Sequence, residues 1–181
     1  MVIIFLLLVA GGLVFLFYRP IPAGAPKSVS RMEIFESDHI GLRLSYPDHY
    51  SLTTRHDGYK DTEIHVLVLI DKELASSTFD ASEGPPTISI LEIPLENNVG
   101  LETWIKDNSI SNFYLSADKK LDAVTLGGES ALQYTYSGLY ENDAVAVIHN
   151  DKVFLFFASW LTQNDQLRKD FQSILNTVTF I

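Results

Sequence analysis

The chain contains 181 residues, of which 23 are Asp or Glu and 13 are Lys or Arg, so its formal net charge is −10 at neutral pH. This acidic balance, without a Lys/Arg cluster, excludes nucleic acid as an expected partner because phosphate binding needs a basic face. The absence of cysteine excludes disulfides, cysteine-bound metals and the lipid anchor of a bacterial lipoprotein.

The segment from Met1 to Tyr18 contains no Asp, Glu, Lys, Arg or His. As a helix it would span about 27 Å, close to the hydrocarbon thickness of a bilayer. We therefore expect a transmembrane helix over residues 1–18 that stays on the mature protein. A cleaved signal peptide is the alternative, because Ala23–Ala25 has the small-x-small form of a cleavage site. Pro26 would then directly follow the cut, which argues against it.

The orientation of the expected single-pass membrane protein has two interpretations. The cations nearest the helix, Arg19, Lys27 and Arg31, all lie after it in the chain, and the positive-inside rule would then place the domain at the cytoplasmic face. A helix that starts at the first residue, however, commonly directs export of the domain attached to its C-terminal end. We expect an extracytoplasmic domain, with the cytoplasmic face as the alternative.

Residues 19–31 are rich in Pro, Gly, Ala and Ser and lack periodicity, which is typical of a linker. Neither a repeat nor a second boundary occurs beyond them, so residues 32–181 are predicted to form one domain.

Alternation predicts a half-buried strand over Ile40–Tyr46, with Tyr50–Arg55 returning beside it. Ile64–Ile70 is apolar on both faces towards its end, as expected of an inner strand. Residues 71–86 have loop composition, and Thr87–Ile93 resumes as a strand.

The second half of the chain begins with a short predicted helix around Trp104, with Asn98 as its N-cap. A turn at Gly127–Gly128 comes next, and three strands succeed it, over Ser130–Tyr136, Ala144–His149 and Lys152–Trp160. A last helix carries Leu167, Phe171, Ile174 and Leu175 on one face, with Asn164 or Thr162 as its cap, and Val178–Ile181 is extended. Strands in hairpin order with inserted helices predict an α+β fold, an antiparallel sheet flanked by helices.

Three stretches resemble the strands and closing helix of PsbP-like domains. They are IGLRLSYPDHYSL at Ile40–Leu52, LGGESALQYTY at Leu126–Tyr136, and VFLFFASW with FQSILNTVTF within Val153–Phe180. The resemblance implies an antiparallel sheet between helices, an α/β/α sandwich. It also implies non-enzymatic roles, since members serve as photosystem II subunits, assembly factors, a Ran-binding import factor and bacterial surface proteins.

Three His–Asp pairs, at Asp38-His39, Asp48-His49 and His56-Asp57, surround the first predicted hairpin. The hairpin would bring His39 near His56 and leave His49 at the other turn. Imidazole and carboxylate ligands suit Mn²⁺ or Zn²⁺, and the PsbP resemblance implies manganese or calcium. The candidate metal ligands are therefore His39, His56, Asp38 and Asp57. Exposed histidines beside Asp in turns are more common than ligands, however, so we expect these residues to belong to surface turns and the protein to hold no cofactor.

The sequence contains neither a Gly-x-Ser-x-Gly nucleophile motif nor a cysteine nucleophile. Glu92 and Glu96 are interpreted as solvated or salt-bridged surface groups rather than a catalytic pair. We expect a non-enzymatic, membrane-tethered domain that binds another protein or supports assembly of a complex. The alternatives are an extracytoplasmic metal- or small-ligand-binding protein and, third, a hydrolase.

Overall fold

A computed structural model describes residues 31–59, 62–75, 84–96 and 99–181. The predicted membrane helix over residues 1–18 lies outside these residues, as does the predicted linker except for Arg31. Among the helices of the described ranges, none combines the length and apolar character needed to cross a membrane.

A seven-stranded antiparallel sheet forms the centre of the domain, in the order β3-β4-β5-β9-β8-β7-β6. Each neighbouring pair except β5–β9 is consecutive in the chain, which is the hairpin order that the sequence predicted. Its strands are β3 (Tyr50–Tyr59), β4 (Thr62–Asp71), β5 (Ile88–Pro94), β6 (Asp122–Leu126), β7 (Glu129–Ser137), β8 (Glu141–His149) and β9 (Lys152–Trp160).

A three-stranded antiparallel sheet, in the order β1-β2-β10, packs on one face of the large sheet. It is formed by β1 (Met32–Ser37), β2 (Leu42–Pro47) and β10 (Thr179–Phe180). The described ranges contain the helices α1 (Lys72–Ala75), α2 (Leu101–Asp107) and α3 (Gln166–Leu175), and two 3-10 turns span Ser109–Ser111 and Phe113–Leu115. The predicted α+β class with antiparallel sheets is confirmed.

The large sheet separates two apolar cores because its inner strands are hydrophobic on both faces. One core lies beneath the small sheet and α3, where Leu44, Phe156 and Phe171 are fully buried. The other lies beneath α2 and the 3-10 turns, where Trp104 and Phe113 cover the opposite face. Burying each such side chain stabilises the fold by about 1.5–3 kcal/mol. Of the aromatic residues in β9, Phe154, Phe156 and Trp160 are buried.

The prediction that Tyr50–Arg55 returns beside Ile40–Tyr46 was wrong. The chain changes sheets at Asp48–His49, so β3 pairs with β4 along its whole length, from Tyr50–Asp71 to Tyr59–Thr62. The strand β2 pairs instead with β1 and β10. Period-two alternation identifies a strand but not its partner.

Two other local predictions were incomplete. The strand β1 was not predicted because it lies mostly exposed at a sheet edge and lacks clear alternation. The helix α3 begins after Asp165, not after Thr162 or Asn164, and the Asp165 carboxylate accepts from the Leu161 and Thr162 amides. Gly100 is the N-cap of α2, and the predicted cap Asn98 lies outside the described residues.

Candidate metal centre

A row of three polar side chains crosses three neighbouring strands of the large sheet. His56 on β3 is directly opposite His65 on β4, and His65 is directly opposite Glu92 on β5. Directly opposed residues of an antiparallel pair project from the same face. The row therefore faces the small sheet, near the turn that joins β1 and β2.

Ligand atoms of His56, Glu63 and His65 all lie within 4.8 Å of one another. Glu63 and His65 are two positions apart on β4 and so share a face. The Nδ1 atom of His56 is 3.1 Å from Oε1 of Glu63, and the centroids of the His56 and His65 rings are 4.4 Å apart. Two imidazoles and a carboxylate thus point to one spot.

Glu92 supports this group from below. Its side chain is 2% exposed, one oxygen bonds to Nδ1 of His65, and the other is 2.5 Å from Nζ of Lys152. A buried carboxylate needs such partners because desolvating an unpaired charge costs several kcal/mol. The prediction that Glu92 lies at the surface was therefore wrong, whereas a salt bridge, one of its two predicted environments, is confirmed.

The Glu92 contact also determines which nitrogen of His65 can bind a ligand. A carboxylate accepts hydrogen bonds, so it favours a proton on Nδ1 and leaves Nε2 as the ligand atom. Carboxylate–histidine pairs of this kind orient metal-binding imidazoles in known metal sites and raise their basicity. The half-buried His65 ring is accordingly oriented as a metal ligand would be.

His39 approaches His65 from the small sheet, although its ring nitrogens are not part of the group of ligand atoms within 4.8 Å of one another. It lies in the turn between β1 and β2, and its Nε2 is 3.2 Å from Nε2 of His65. The two rings meet edge to face, with an interplanar angle of 82°. A cavity of about 280 Å³ lies among His39, His56, His65 and the adjoining residues of β1 and β3. We call the four residues His39, His56, Glu63 and His65 the histidine cluster.

The structure brings together only some of the residues predicted as ligands. His39 and His56 both contact His65, whereas Asp38 lies exposed in the turn and is not part of the ligand group. Asp57 is the next residue after His56 in the strand, so it projects from the opposite face, where it accepts a hydrogen bond from Arg55 at 2.8 Å. His49 lies at the other turn, 3.3 Å from Asp170.

Sequence reasoning missed Glu63, His65 and Glu92 as members of the site. A signal for His65 was present, because the connection between β3 and β4 has only two residues between Tyr59 and Thr62. A two-residue hairpin places His56 opposite His65. That inference requires β3 and β4 to be recognised as a hairpin, whereas β3 was assigned to β2.

The ligand set suits a borderline divalent transition metal ion. Imidazole nitrogen is a good ligand for Zn²⁺, Cu²⁺, Ni²⁺ and Fe²⁺, whereas Ca²⁺ and Mg²⁺ prefer oxygen alone. The side chains of His56 and Glu63 are 59% and 73% exposed, so an ion can enter from solvent. His56, Glu63 and His65 nevertheless project from the two-stranded β3–β4 ladder rather than from a loop.

A Ser-x-x-Lys spacing at Ser116 and Lys119 does not form a nucleophile–base pair. The Ser116 hydroxyl donates to the Asp118 carboxylate at 3.0 Å. Lys119 Nζ donates to the backbone carbonyls of Phe113 and Tyr114, at 3.2 and 2.6 Å. Both groups therefore serve the local turn, and the spacing gives no support to hydrolysis.

The two antiparallel sheets, with α3 on one side and α2 on the other, define a PsbP-like fold. The solution structure of cyanobacterial PsbP (CyanoP) from Synechocystis sp. PCC 6803 has the same fold, with a TM-score of 0.54. The alignment covers 90% of this chain and 100% of that chain, at 11% sequence identity. This likeness concerns the fold alone. No protein-family model matches the sequence, and no curated protein matches it.

Proposed function

We propose that this chain is a non-enzymatic, membrane-tethered PsbP-like domain that binds a divalent transition metal ion of the Zn²⁺ type. The observation that carries the proposal is the convergence of His56, Glu63 and His65 within 4.8 Å. The buried Glu92 supports it, because a carboxylate on the far nitrogen of a histidine is a common feature of metal centres. An imidazole-rich set favours Zn²⁺ over the manganese or calcium that the family resemblance implies.

Thermal unfolding of the full chain in detergent, without a polyhistidine tag, tests metal binding. An ion that binds only the folded state at a hundredfold excess over its Kd stabilises it by about 2.7 kcal/mol. For a chain of this size, we expect Zn²⁺ to raise the Tm by about 5–10 °C, and Ca²⁺ or Mg²⁺ to have little effect.

Substitutions locate the effect within the molecule. The variant His56→Ala with Glu63→Gln should lose the Tm increase, since both side chains are ligands in the proposal. His49→Ala removes a histidine at the opposite end of β3 and should keep it. A Zn²⁺ response that is absent from the parent, or unchanged in the His56/Glu63 variant, would contradict metal binding at this site.

The tether is the second part of the proposal. Arg31 precedes β1, and its carbonyl accepts a hydrogen bond from the Asp48 amide at 2.8 Å, beside the start of β3. His56 and His65 lie towards the other end of the β3–β4 ladder. The ten residues of β3 correspond to about 30 Å. The proposed tether would thus enter the domain at the end of the β3–β4 ladder opposite to the histidine cluster.

An accessory role in a membrane-bound assembly is the second candidate function. Two apolar side chains at the Arg31 end, Leu139 and Leu161, are 63% and 66% exposed and flank the first residue pair of β8 and β9, Glu141–Trp160. Exposed apolar groups near a tether are suited to contact with a membrane protein.

Quantitative co-purification from native membranes tests this role. A partner recovered with the parent should be lost from the double variant Leu139→Ser, Leu161→Ser. The control Ile34→Ser changes an equally exposed side chain, at 59%, on β1 and should retain the partner. Equal recovery with all three proteins would argue against this surface.

A further inference from the structure

The histidine cluster contains residues from both sheets of the fold. His56, Glu63 and His65 belong to the β3–β4 hairpin of the large sheet, whereas His39 belongs to the β1–β2 turn of the small sheet. His39 and His65 contact each other between the two sheets, with their Nε2 atoms 3.2 Å apart.

That distance agrees with two nitrogens bound to one tetrahedral ion. Zn–N bonds of about 2.0–2.1 Å separated by a tetrahedral angle place two nitrogens about 3.3 Å apart. The 3.1 Å separation between His56 Nδ1 and Glu63 Oε1 agrees equally with a second edge of the same polyhedron. Three histidines and one carboxylate would complete a four-coordinate site.

Resting on the metal binding proposed above, we infer that the ion takes Nε2 of His39 as its fourth ligand and thereby fastens the β1–β2 hairpin to the large sheet. Without the ion, the two imidazoles contact each other through their Nε2 atoms alone. With the ion, two metal–nitrogen bonds replace that contact. The free edge of the small sheet is then held at its turn as well as through its core.

The hairpin is the part of the fold where such a fastening has most effect. Among the described residues, β1 is an edge strand that pairs with β2, and its Met32 and Ile34 side chains are 43% and 59% exposed. Near the turn, the Gly41 carbonyl accepts from the Ile181 amide at 3.2 Å. Strands with few buried apolar contacts open at low free energy. Residues 1–30 also join the domain through β1, so any tension on the proposed tether would act on this strand first.

Hydrogen exchange of the full chain, read by mass spectrometry on peptides from β1, measures the fastening directly. Zn²⁺ should slow exchange of the β1 amides in the parent. In His39→Ala it should slow exchange around His56 and His65 while leaving β1 unchanged. Because His39 is exposed, this substitution should not disturb folding, and His39→Gln provides a second variant with a polar side chain.

Calorimetric titration with Zn²⁺ separates the inference from the function on which it rests. His39→Ala should weaken binding by at least about tenfold, the lower limit for loss of even an outer partner of a metal site. His49→Ala should bind like the parent. Parent-like affinity and parent-like protection of β1 in His39→Ala would overturn the fastening and leave a three-ligand site intact. Absence of Zn²⁺ binding by the parent would overturn both.

Discussion

Lys152 and Glu92 form a 2.5 Å ion pair that lies two residues out of register between β5 and β9, beneath the histidine cluster. The Glu92 side chain is 2% exposed and that of Lys152 is 33% exposed, so the pair is shielded mainly on the carboxylate side. Because Glu92 also bonds to His65, the ion pair links a candidate metal ligand to a lysine on β9.

Replacing Lys152 with methionine should destabilise the fold by about 2 kcal/mol, because it removes a charged hydrogen bond from a buried carboxylate. Urea unfolding followed by the fluorescence of Trp104 and Trp160 measures the change. Lys106→Met is the matched control, since its ion pair with Glu102 is exposed on both sides and is worth about 0.3–0.5 kcal/mol. Equal effects of the two substitutions would contradict a buried role for Lys152.

Glu92→Gln should weaken Zn²⁺ binding by about 10–100-fold, because the neutral amide can still contact His65 but no longer places a negative charge behind the metal-bound imidazole. The double variant Glu92→Gln, Lys152→Met tests whether the unpaired lysine causes the change. It should regain stability without regaining affinity. Calorimetry at one pH compares all three proteins, and full recovery of affinity in the double variant would count against the proposed role of Glu92.

Tyr50 links stability to alkaline pH. Its hydroxyl donates to Oδ2 of Asp170 at 3.1 Å, and its side chain is only 2% exposed. Burial, together with the smaller effect of the negative charge of Asp170, raises the pKa of Tyr50 far above its ordinary value. The folded state thus keeps the phenol protonated, so its contribution is complete below about pH 10 and declines as the pH rises further.

Tyr50→Phe should therefore lower the free energy of unfolding by about 1 kcal/mol at pH 8. It should also make the loss of stability above about pH 10 shallower. Urea midpoints across this range provide the measurement, with the exposed Tyr114→Phe as the control. A parallel decline in Tyr50→Phe and the parent would show that Tyr50 does not carry this dependence.

The two glycines of the turn between β6 and β7 allow the cost of backbone strain to be measured separately from the cost of steric overlap. Gly127 and Gly128 have φ angles of +58° and +87°. A Cβ on Gly127 would lie 2.8 Å from the ring of Phe180, whereas a Cβ on Gly128 would have no neighbouring atom of the described residues within 4 Å. Gly128→Ala should cost about 1–2 kcal/mol from strain alone. Gly127→Ala should cost about 1–3 kcal/mol more. Similar urea midpoints for both variants would mean that the Phe180 ring moves aside at little cost in free energy.

The orientation of the proposed tether can be read with a single introduced cysteine, because the chain has none of its own. Ser173→Cys lies on the exposed side of α3. If the domain is extracytoplasmic, a membrane-impermeant maleimide should label it in intact cells. Labelling that requires lysis would place the domain at the cytoplasmic face.

Local patterns predicted much of the fold because they depend on neighbouring residues. The strands over Ile64–Ile70 and Lys152–Trp160 and the helix around Phe171 are direct consequences of apolar periodicity. The partition into two sheets could not be derived in this way, since the alternation in β2 is satisfied by any partner that covers its apolar face. Formation of the small sheet requires Leu42 to pair with Phe180, and no local sequence pattern indicates this pairing.

The candidate site was predicted in part for the same reason. The proximity of His39 and His56 was inferred from a hairpin that does not form, although both residues do meet His65. Glu92 was misread because it stands in the apolar run Ile88–Pro94, where a charged residue has no partner within its own strand. Its partners come from β4 and β9, and only the strand register identifies them.

Because β2 pairs with β10, the small sheet cannot be completed until the ribosome has synthesised the C-terminal strand β10. The Ser45 amide donates to the Thr177 hydroxyl at 2.8 Å across 132 positions of sequence. At about 5–20 residues per second, the ribosome needs roughly 7–26 s to synthesise the residues from Ser45 to Thr177. During this interval β2 can pair with β1 alone, and its other edge must remain protected from neighbouring nascent chains.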